Sequence, residues 1–367
     1  MHVVLVFLLH FTTFTLCVCF NSIASLYRDS YPQIIGHAGA SGYLPESSLI
    51  GYDLAANLGA DYSEPDLVLS SDNIFFAFHD LTLEGTTNVA DLFPPSRQET
   101  FVIEGQAITG YYAVNFTAAE IKSLRIRQRF DNRSTLYNWV FTPPSLQDIM
   151  EWQINHYEVS TRLVGIYPEL KHPDFYNEIG YHMEDLLINQ LEDGGYHVRP
   201  GDISTPRDLR QVVPVAIQCF KAGSLKYLST ITSVPLVQLV GVSDAKPTPL
   251  SVWNPLVLDE IATYAQAASP DKKIFTADWG TSFSEAREMM SWARERGLEV
   301  VPWSFQQEQQ YISDQFEGDA HREVQFYYGC LGVSGIFHEF PDYAREVVDA
   351  CKLKGGDGCL SQCQERF

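Results

Sequence analysis

QIIGHAGASGYLPESSLIGYDLAANLGADYSEPDLVLSSDNIFFAFHD, residues 33–80, decides how this chain is read. Three short β-type runs each end in a group that can do chemistry. Ile34-Ile35-Gly36 runs into His37, Asp61 to Leu69 carries Glu64 and Asp66, and Ile74 to Phe78 runs into His79-Asp80. A helix is predicted over Ser48 to Leu58, with Pro45-Glu46 ahead of it and Gly59 closing it. In barrels of parallel strands, active-site groups sit at strand ends. Side chains alternate along a strand, so Glu64 and Asp66 share a face. Two carboxylates on one inward face repel and are costly to bury, and a hard divalent cation between them removes that cost. The competing arrangement is an edge strand with solvated acids. Pro65 between them removes one ladder donor.

Working outward, the chain has 367 residues, enough for one large barrel or two smaller domains. With 45% hydrophobic and 13% aromatic residues it can build a large core, which excludes a disordered chain. The formal net charge of −21 argues against nucleic acid or an anionic lipid surface as partner. An anionic substrate would then need a local cation to hold it.

Residues 1–20 contain no Asp, Glu, Lys or Arg, and Val3 to Leu9 is continuously apolar. This predicts a signal peptide over residues 1–24, cleaved near Cys19 or Ala24, and a secreted or secretory-lumen protein. An uncleaved membrane anchor is the alternative; no second membrane-length segment follows. Cys219 in its apolar run is expected to be a buried free thiol. Cys330, Cys351, Cys359 and Cys363 predict one or two disulfides stapling the tail, residues 351–367, with the pairing open. Asn115 and Asn132 head glycosylation sequons on an expected surface segment.

Several motifs in order now carry a resemblance. His37, Gly39 and Ala40, then Pro45-Glu46, Glu64-Pro65-Asp66, His79-Asp80, Thr86 to Ala90 and Phe93-Pro94 resemble the glycerophosphodiester phosphodiesterase family. They fit best its longer, bacterial-periplasm-like branch. The resemblance implies an enzyme, a phosphoric diester hydrolase built as a TIM-type (β/α)8 barrel. It implies one divalent ion, Ca2+ or Mg2+, on Glu64, Asp66 and Glu169. His37 and His79 become acid and base, and Lys171, Glu46 and Trp303 substrate-binding groups. The implied substrate is a glycerophosphodiester, cleaved to glycerol phosphate and an alcohol such as choline or ethanolamine. Its own glycerol hydroxyl can be the first nucleophile, giving a cyclic phosphate that water opens. A cation stabilises the developing charge, and imidazoles suit proton transfer near neutral pH.

The rest of the chain alternates strands and helices, which argues for a parallel α/β architecture. Residues 81–144 break the alternation and are read as an insertion after the third strand, over the barrel mouth. Ala118 to Arg129 is read as its helix. Ser145 to Glu158 is the next helix, and Leu163 to Lys171 is a buried strand ending in Glu169 and Lys171. A helix is expected over Asn177 to Asp193. Strands follow at Val213–Phe220, Leu236–Val240, Leu298–Phe305 and Gly335–Phe340, with helices at Pro255–Ala267 and Ser284–Arg296. Lys273 to Trp279 is set aside as a connection to keep eight strands, and the barrel domain spans residues 33–350.

Departures from the family pattern are specific. Ala38 stands where the motif has arginine, Gln306 where a second arginine is common, and His338-Glu339 where Thr-Asp is usual. Alanine cannot replace a fork-shaped phosphate donor. His338, Lys171 or an arginine of the insertion is a candidate replacement. The alternatives are a catalytically impaired relative that binds a phosphodiester headgroup or a protein, or an enzyme acting on lysophospholipid or sphingophospholipid.

Overall fold

The computed structural model describes residues 32–200, 213–241 and 248–353, and Cys363. The expected leader over residues 1–24 lies outside these residues, as does Cys359. Among the described residues the strands are β1 (Gln33–His37), β2 (Tyr62–Glu64), β3 (Asp66–Leu69), β4 (Phe75–Ala77), β5 (Glu99–Ile103) and β6 (Gln106–Gly110). They continue with β7 (Gly165–Ile166), β8 (Glu169–Leu170), β9 (Ile217–Cys219), β10 (Leu236–Val240), β11 (Ala267–Pro270), β12 (Glu299–Val300) and β13 (Gly335–His338).

One parallel arc runs β13-β1-β2-β7, and a second runs β12-β11-β10-β9-β8-β3. Single parallel bridges, Ile166 to Val215 and Phe305 to His338, join the arcs into a closed barrel. Two of its eight strands are bent at a proline. Pro65 separates β2 from β3, and Pro168 separates β7 from β8. Pairing between them nevertheless continues, with Tyr167 N–H on Ser63 O at 2.9 Å and Glu169 N–H on Pro65 O at 2.9 Å. A proline costs only its own donor, and the bend hands one strand from the first arc to the second.

The architecture is the expected α/β TIM-type barrel, but two members of the count change. Ile74 to Phe78 does form a strand, β4, yet it runs antiparallel to β3 as a hairpin partner and is no barrel stave. The missing stave is β11, which begins at the last residue of the stretch read as helix and matches none of the expected strands; that helix stops at Ile261. Lys272–Phe275 and Ala277–Trp279 are 3-10 turns, in keeping with a connection. The expected helix over Asn177 to Asp193 is two helices, Pro173–Glu178 and Met183–Asp193.

Capping side chains fix where helices start. Ser48 accepts from Gly51 N–H at 3.1 Å, and Ser145 and Ser282 each close a capping box. Inside the barrel lie Ile35, Tyr62, Tyr167, Ala216, Val237, Ala267, Val301 and Phe337. A larger apolar shell fills the space between staves and helices. Cys219 is a buried free thiol, pushed up to about 12 by burial. Cys330 and Cys363 form a disulfide, and Cys351 is also disulfide-bonded.

Residues 81–144 hold the exposed hairpin of β5 and β6 and a helix, Ala118–Ser123, six residues shorter than the expected Ala118 to Arg129. After Ser123 the chain turns extended, because Arg125 N–H is taken by Asn88 Oδ1 at 2.7 Å and Ile126 N–H by Phe141 O at 2.9 Å. Gln128 then donates to Ser41 O at 3.1 Å and Leu44 O at 3.2 Å, seating the insertion on the loop that leaves β1. Asn132 is exposed, whereas Asn115 is half-buried with its amide on Glu99 at 2.9 Å.

Candidate active site

The loop after β1 is shaped by Gly39. Its φ is +84°, and a Cβ there would lie 2.8 Å from the Gly51 carbonyl carbon. Ala38 beside it is also left-handed, at φ +49°, with its methyl buried. This turn aims the Ala38 N–H at Glu64 Oε2, 2.8 Å away, while Gln218 of β9 donates to Glu64 Oε1 at 3.0 Å.

Glu64, Asp66 and Glu169 place carboxylate oxygens within 4.8 Å of one another, all three buried. Lys171 lies among them, 2.9 Å from Glu169 and 3.3 Å from Asp66. One ammonium does not balance three buried carboxylates. Burial, reinforced by Asp66, pushes Glu64 up to about 8. Burial also raises Glu169, against the pull of Lys171. Asp66 is lowered to about 2, since Lys171, His79 and His37 overcome its burial. Asp66 Oδ2 has no hydrogen-bond partner. An all-oxygen, anionic, under-neutralised cluster with an orphaned acceptor fits a hard divalent cation.

His37 and His79 reach the same pocket as Glu64, Glu169 and Lys171, and Trp303, Gln218 and Phe337 complete much of its wall. It opens into a cavity of about 700 Å³ that shares His79, Glu169, Lys171 and Trp303. His37 Nδ1 is 3.2 Å from Glu339 Oε1. Burial opposes its charge, but the Glu339 hydrogen bond and the field of Glu64 outweigh it and raise the imidazole to about 9. Glu339 in turn is held by Gln306 at 3.0 Å and by Arg133. Its burial is outweighed by His37 and Arg133, and its carboxyl falls to about 2. His79 Nδ1 is 2.8 Å from Asp80 Oδ1. Arg129 binds Asp80 at 2.7 Å and grips both oxygens of Glu46 at 2.7 Å each. With Nδ1 engaged on a carboxylate, each ring offers Nε2 to the pocket.

Sequence-predicted residues thus fall into two groups. His37, His79, Glu64, Glu169, Lys171 and Trp303 line one pocket, and Asp66 joins it through Lys171. Glu46 sits behind it in the Arg129 pair. Trp303 stands edge-on to Phe220 with its indole N–H on Ser269 O at 2.8 Å. His338 offers no replacement cation: it is fully buried, accepts from Phe340 N–H at 2.9 Å, and is pushed down to about 3 by burial and Lys272. Gln218 and Glu339 were not foreseen as site residues. The available signal was position, since each lies at the carboxyl end of a stave beside an expected ligand or imidazole.

The sequence model of the glycerophosphoryl diester phosphodiesterase family matches residues 37–343. A glycerophosphodiester phosphodiesterase of Arabidopsis thaliana is 30% identical over 324 residues, covering 85% of each chain. One of Haemophilus influenzae is 27% identical, covering 90% of this chain and 94% of the relative. Among solved structures, a Silicibacter pomeroyi protein described as a glycerophosphoryl diester phosphodiesterase matches with TM-score 0.61 at 16% identity, over 89% of this chain and 96% of its own. An Oleispira antarctica phosphodiesterase, solved with its product sn-glycerol-3-phosphate, matches with TM-score 0.57 at 18% identity, over 87% and 97%.

Proposed function

This chain belongs to the glycerophosphoryl diester phosphodiesterase family, and from that premise we propose that it hydrolyses glycerophosphodiesters to glycerol phosphate and an alcohol, with one divalent ion, Ca2+ or Mg2+, bound. The observation that carries the reading is convergence. Three buried carboxylates and two carboxylate-held imidazoles, from distant parts of the chain, meet at one end of the barrel. Glu64, Asp66 and Glu169 would hold the ion, which supplies charge neutralisation at the phosphoryl oxygens. Lys171, lying among the three carboxylates, adds a second positive charge for phosphate. His37 and His79 carry the proton from the attacking hydroxyl and to the departing alkoxide through their Nε2 atoms, with Glu339 and Asp80 fixing the tautomers. The glycerol hydroxyl is the first nucleophile, and water opens the resulting cyclic phosphate. The charge-free apolar run at residues 1–20, read as a leader, and the Cys330–Cys363 disulfide favour a secretory setting.

One observation favours a second reading, an impaired relative that binds a headgroup or a protein. Arg129 and Arg133 of the insertion are committed to carboxylates, so neither replaces the guanidinium missing at Ala38. The deciding assay is release of choline or ethanolamine from glycerophosphodiesters, with calcium, magnesium or chelator. Turnover that needs a cation and disappears in Glu64→Ala/Asp66→Ala is expected. No turnover from the wild type or from Ala38→Arg selects the second reading, and cation binding unchanged in the double variant removes the metal site.

A further inference from the structure

We propose that the turn at residues 134–141 of the insertion docks on a zwitterionic lipid surface, an interaction that goes beyond the hydrolase reading and does not depend on it. Leu136, Tyr137, Trp139 and Val140 are four exposed large apolar side chains within five positions, and Leu136 is 77% exposed. Such side chains scattered singly over a surface are ordinary, whereas a cluster marks a contact. The turn is also firmly held. Trp139 donates its N–H to Ile126 O at 2.7 Å, Ile126 donates to Phe141 O at 2.9 Å, and Asn138 Oδ1 accepts from Gln128 N–H at 2.8 Å. Tyr137 stacks on Phe141, which packs against the core. Trp139 sits at φ +67°, a left-handed backbone that costs a bulky residue energy, and its ring is left in solvent.

Shape and charge select the occupant. The patch is a protruding turn, and none of its four residues lines the cavities at the barrel mouth. Side chains standing this far out suit insertion into a soft phase. Tryptophan and tyrosine favour the boundary between hydrocarbon and headgroups, and leucine and valine reach deeper. The chain carries −21, yet between Ile121 and Phe141 five basic residues stand against Asp131 alone. Lys122, Arg129 and Arg133 are spent on carboxylates. Arg125 and Arg127 alternate with buried Ile126 and Gln128 on the run that the turn is stitched to, so both face outward. Arg125 donates to Ser123 O and Leu124 O, and among the described residues Arg127 has no carboxylate partner. Uncompensated guanidiniums beside an apolar tip meet lipid phosphates. The acidic body opposes both a strongly anionic membrane and a second copy of itself, which leaves a zwitterionic surface.

Cosedimentation with phosphatidylcholine vesicles at about 0.15 M salt tests this. It is run on chain from a glycosylating host and on Asn132→Gln, because the Asn132 sequon would place a glycan beside the turn. Binding by either form is expected, weakened roughly tenfold by Leu136→Ser and further by Leu136→Ser/Trp139→Ser. Val159→Ser, at an exposed valine of another helix, should bind as the wild type does. Trp139→Phe should still bind but lose most of the quenching of tryptophan emission by lipids brominated on their acyl chains. Melting profiles check the variants, and Leu136→Ser decides alone if the double variant fails to fold. No binding by either form, or binding that these serine variants leave unchanged, overturns the inference. A concentration-dependent dimer abolished by Leu136→Ser, without vesicle binding, also overturns it and gives the turn to a second copy. No arm reads turnover, so failure here leaves the hydrolase reading standing.

Discussion

His37 and His79 are each held at Nδ1 by a carboxylate that is itself held by an arginine of the insertion, yet the two chains of contacts lie in opposite surroundings. His37, Glu339 and Arg133 form the dry version: the Glu339 and Arg133 side chains are 4% and 3% exposed. Arg133 also stacks on Phe130 and Phe340 and meets Glu308 at 2.7 Å. His79, Asp80 and Arg129 form the wet version, with the first two 49% and 39% exposed. Equal bonding in unequal dielectric teaches that the two imidazoles are not interchangeable. The first is fixed by charges that water cannot replace, and the second by charges that water can.

Cutting each chain of contacts at its arginine should break the symmetry most. Arg133→Met leaves Glu339 and Glu308 without their shared cation, so denaturant unfolding should show a loss of about 3–5 kcal/mol. Arg129→Met, at a partly exposed site, should cost about 1 kcal/mol or less. Equal losses would erase the distinction. On turnover, Glu339→Gln should lower kcat about 100-fold and Asp80→Asn about tenfold, because the wet imidazole can be reoriented by solvent. Similar KM values in both variants would place the effect in positioning rather than binding.

Acid sharpens the comparison further. Glu339 falls from an ordinary 4.5 to about 2 on folding, so its stabilisation is fully present above 4.5 and is lost as pH drops toward 2. Glu339→Gln should therefore flatten the acid-unfolding curve across that window. Asp80 is also held below its ordinary value, with burial outweighed by His79 and Arg129, and has the same sign. Its exposure makes the corresponding effect of Asp80→Asn smaller. The smallest change is expected from salt: 1 M salt should weaken the Arg129 pairs by a few tenths of a kcal/mol, read as a melting shift absent in Arg129→Met.

The barrel half of this site was legible because its chemistry is local to strand ends. His37, Glu64, His79 and Glu169 all follow or interrupt β-type runs, and alternation along 61–69 put Glu64 and Asp66 on one face. What a run of apolar residues does not encode is its partner. Phe75-Phe76-Ala77 reads the same as a stave or as a hairpin strand, and only pairing with β3 separates them. Ala267-Ala268-Ser269-Pro270 lacks the branched and aromatic residues that mark strands, and is a stave because β10 and β12 flank it. The insertion half was illegible for the same reason at longer range. Arg129 and Arg133 meet Glu46, Asp80, Glu308 and Glu339, contacts spanning up to about two hundred positions that no local pattern announces.

Arg129 and Arg133 are near neighbours in the chain, and the peptide link between Asp131 and Asn132 is exposed between them. One protease cut there would loosen both guanidiniums together, and with them the two carboxylates that hold His37 and His79. Nicked protein should therefore lose stability in the direction expected for Arg133→Met, so preparations of this molecule are best checked by mass before their melting profiles are compared.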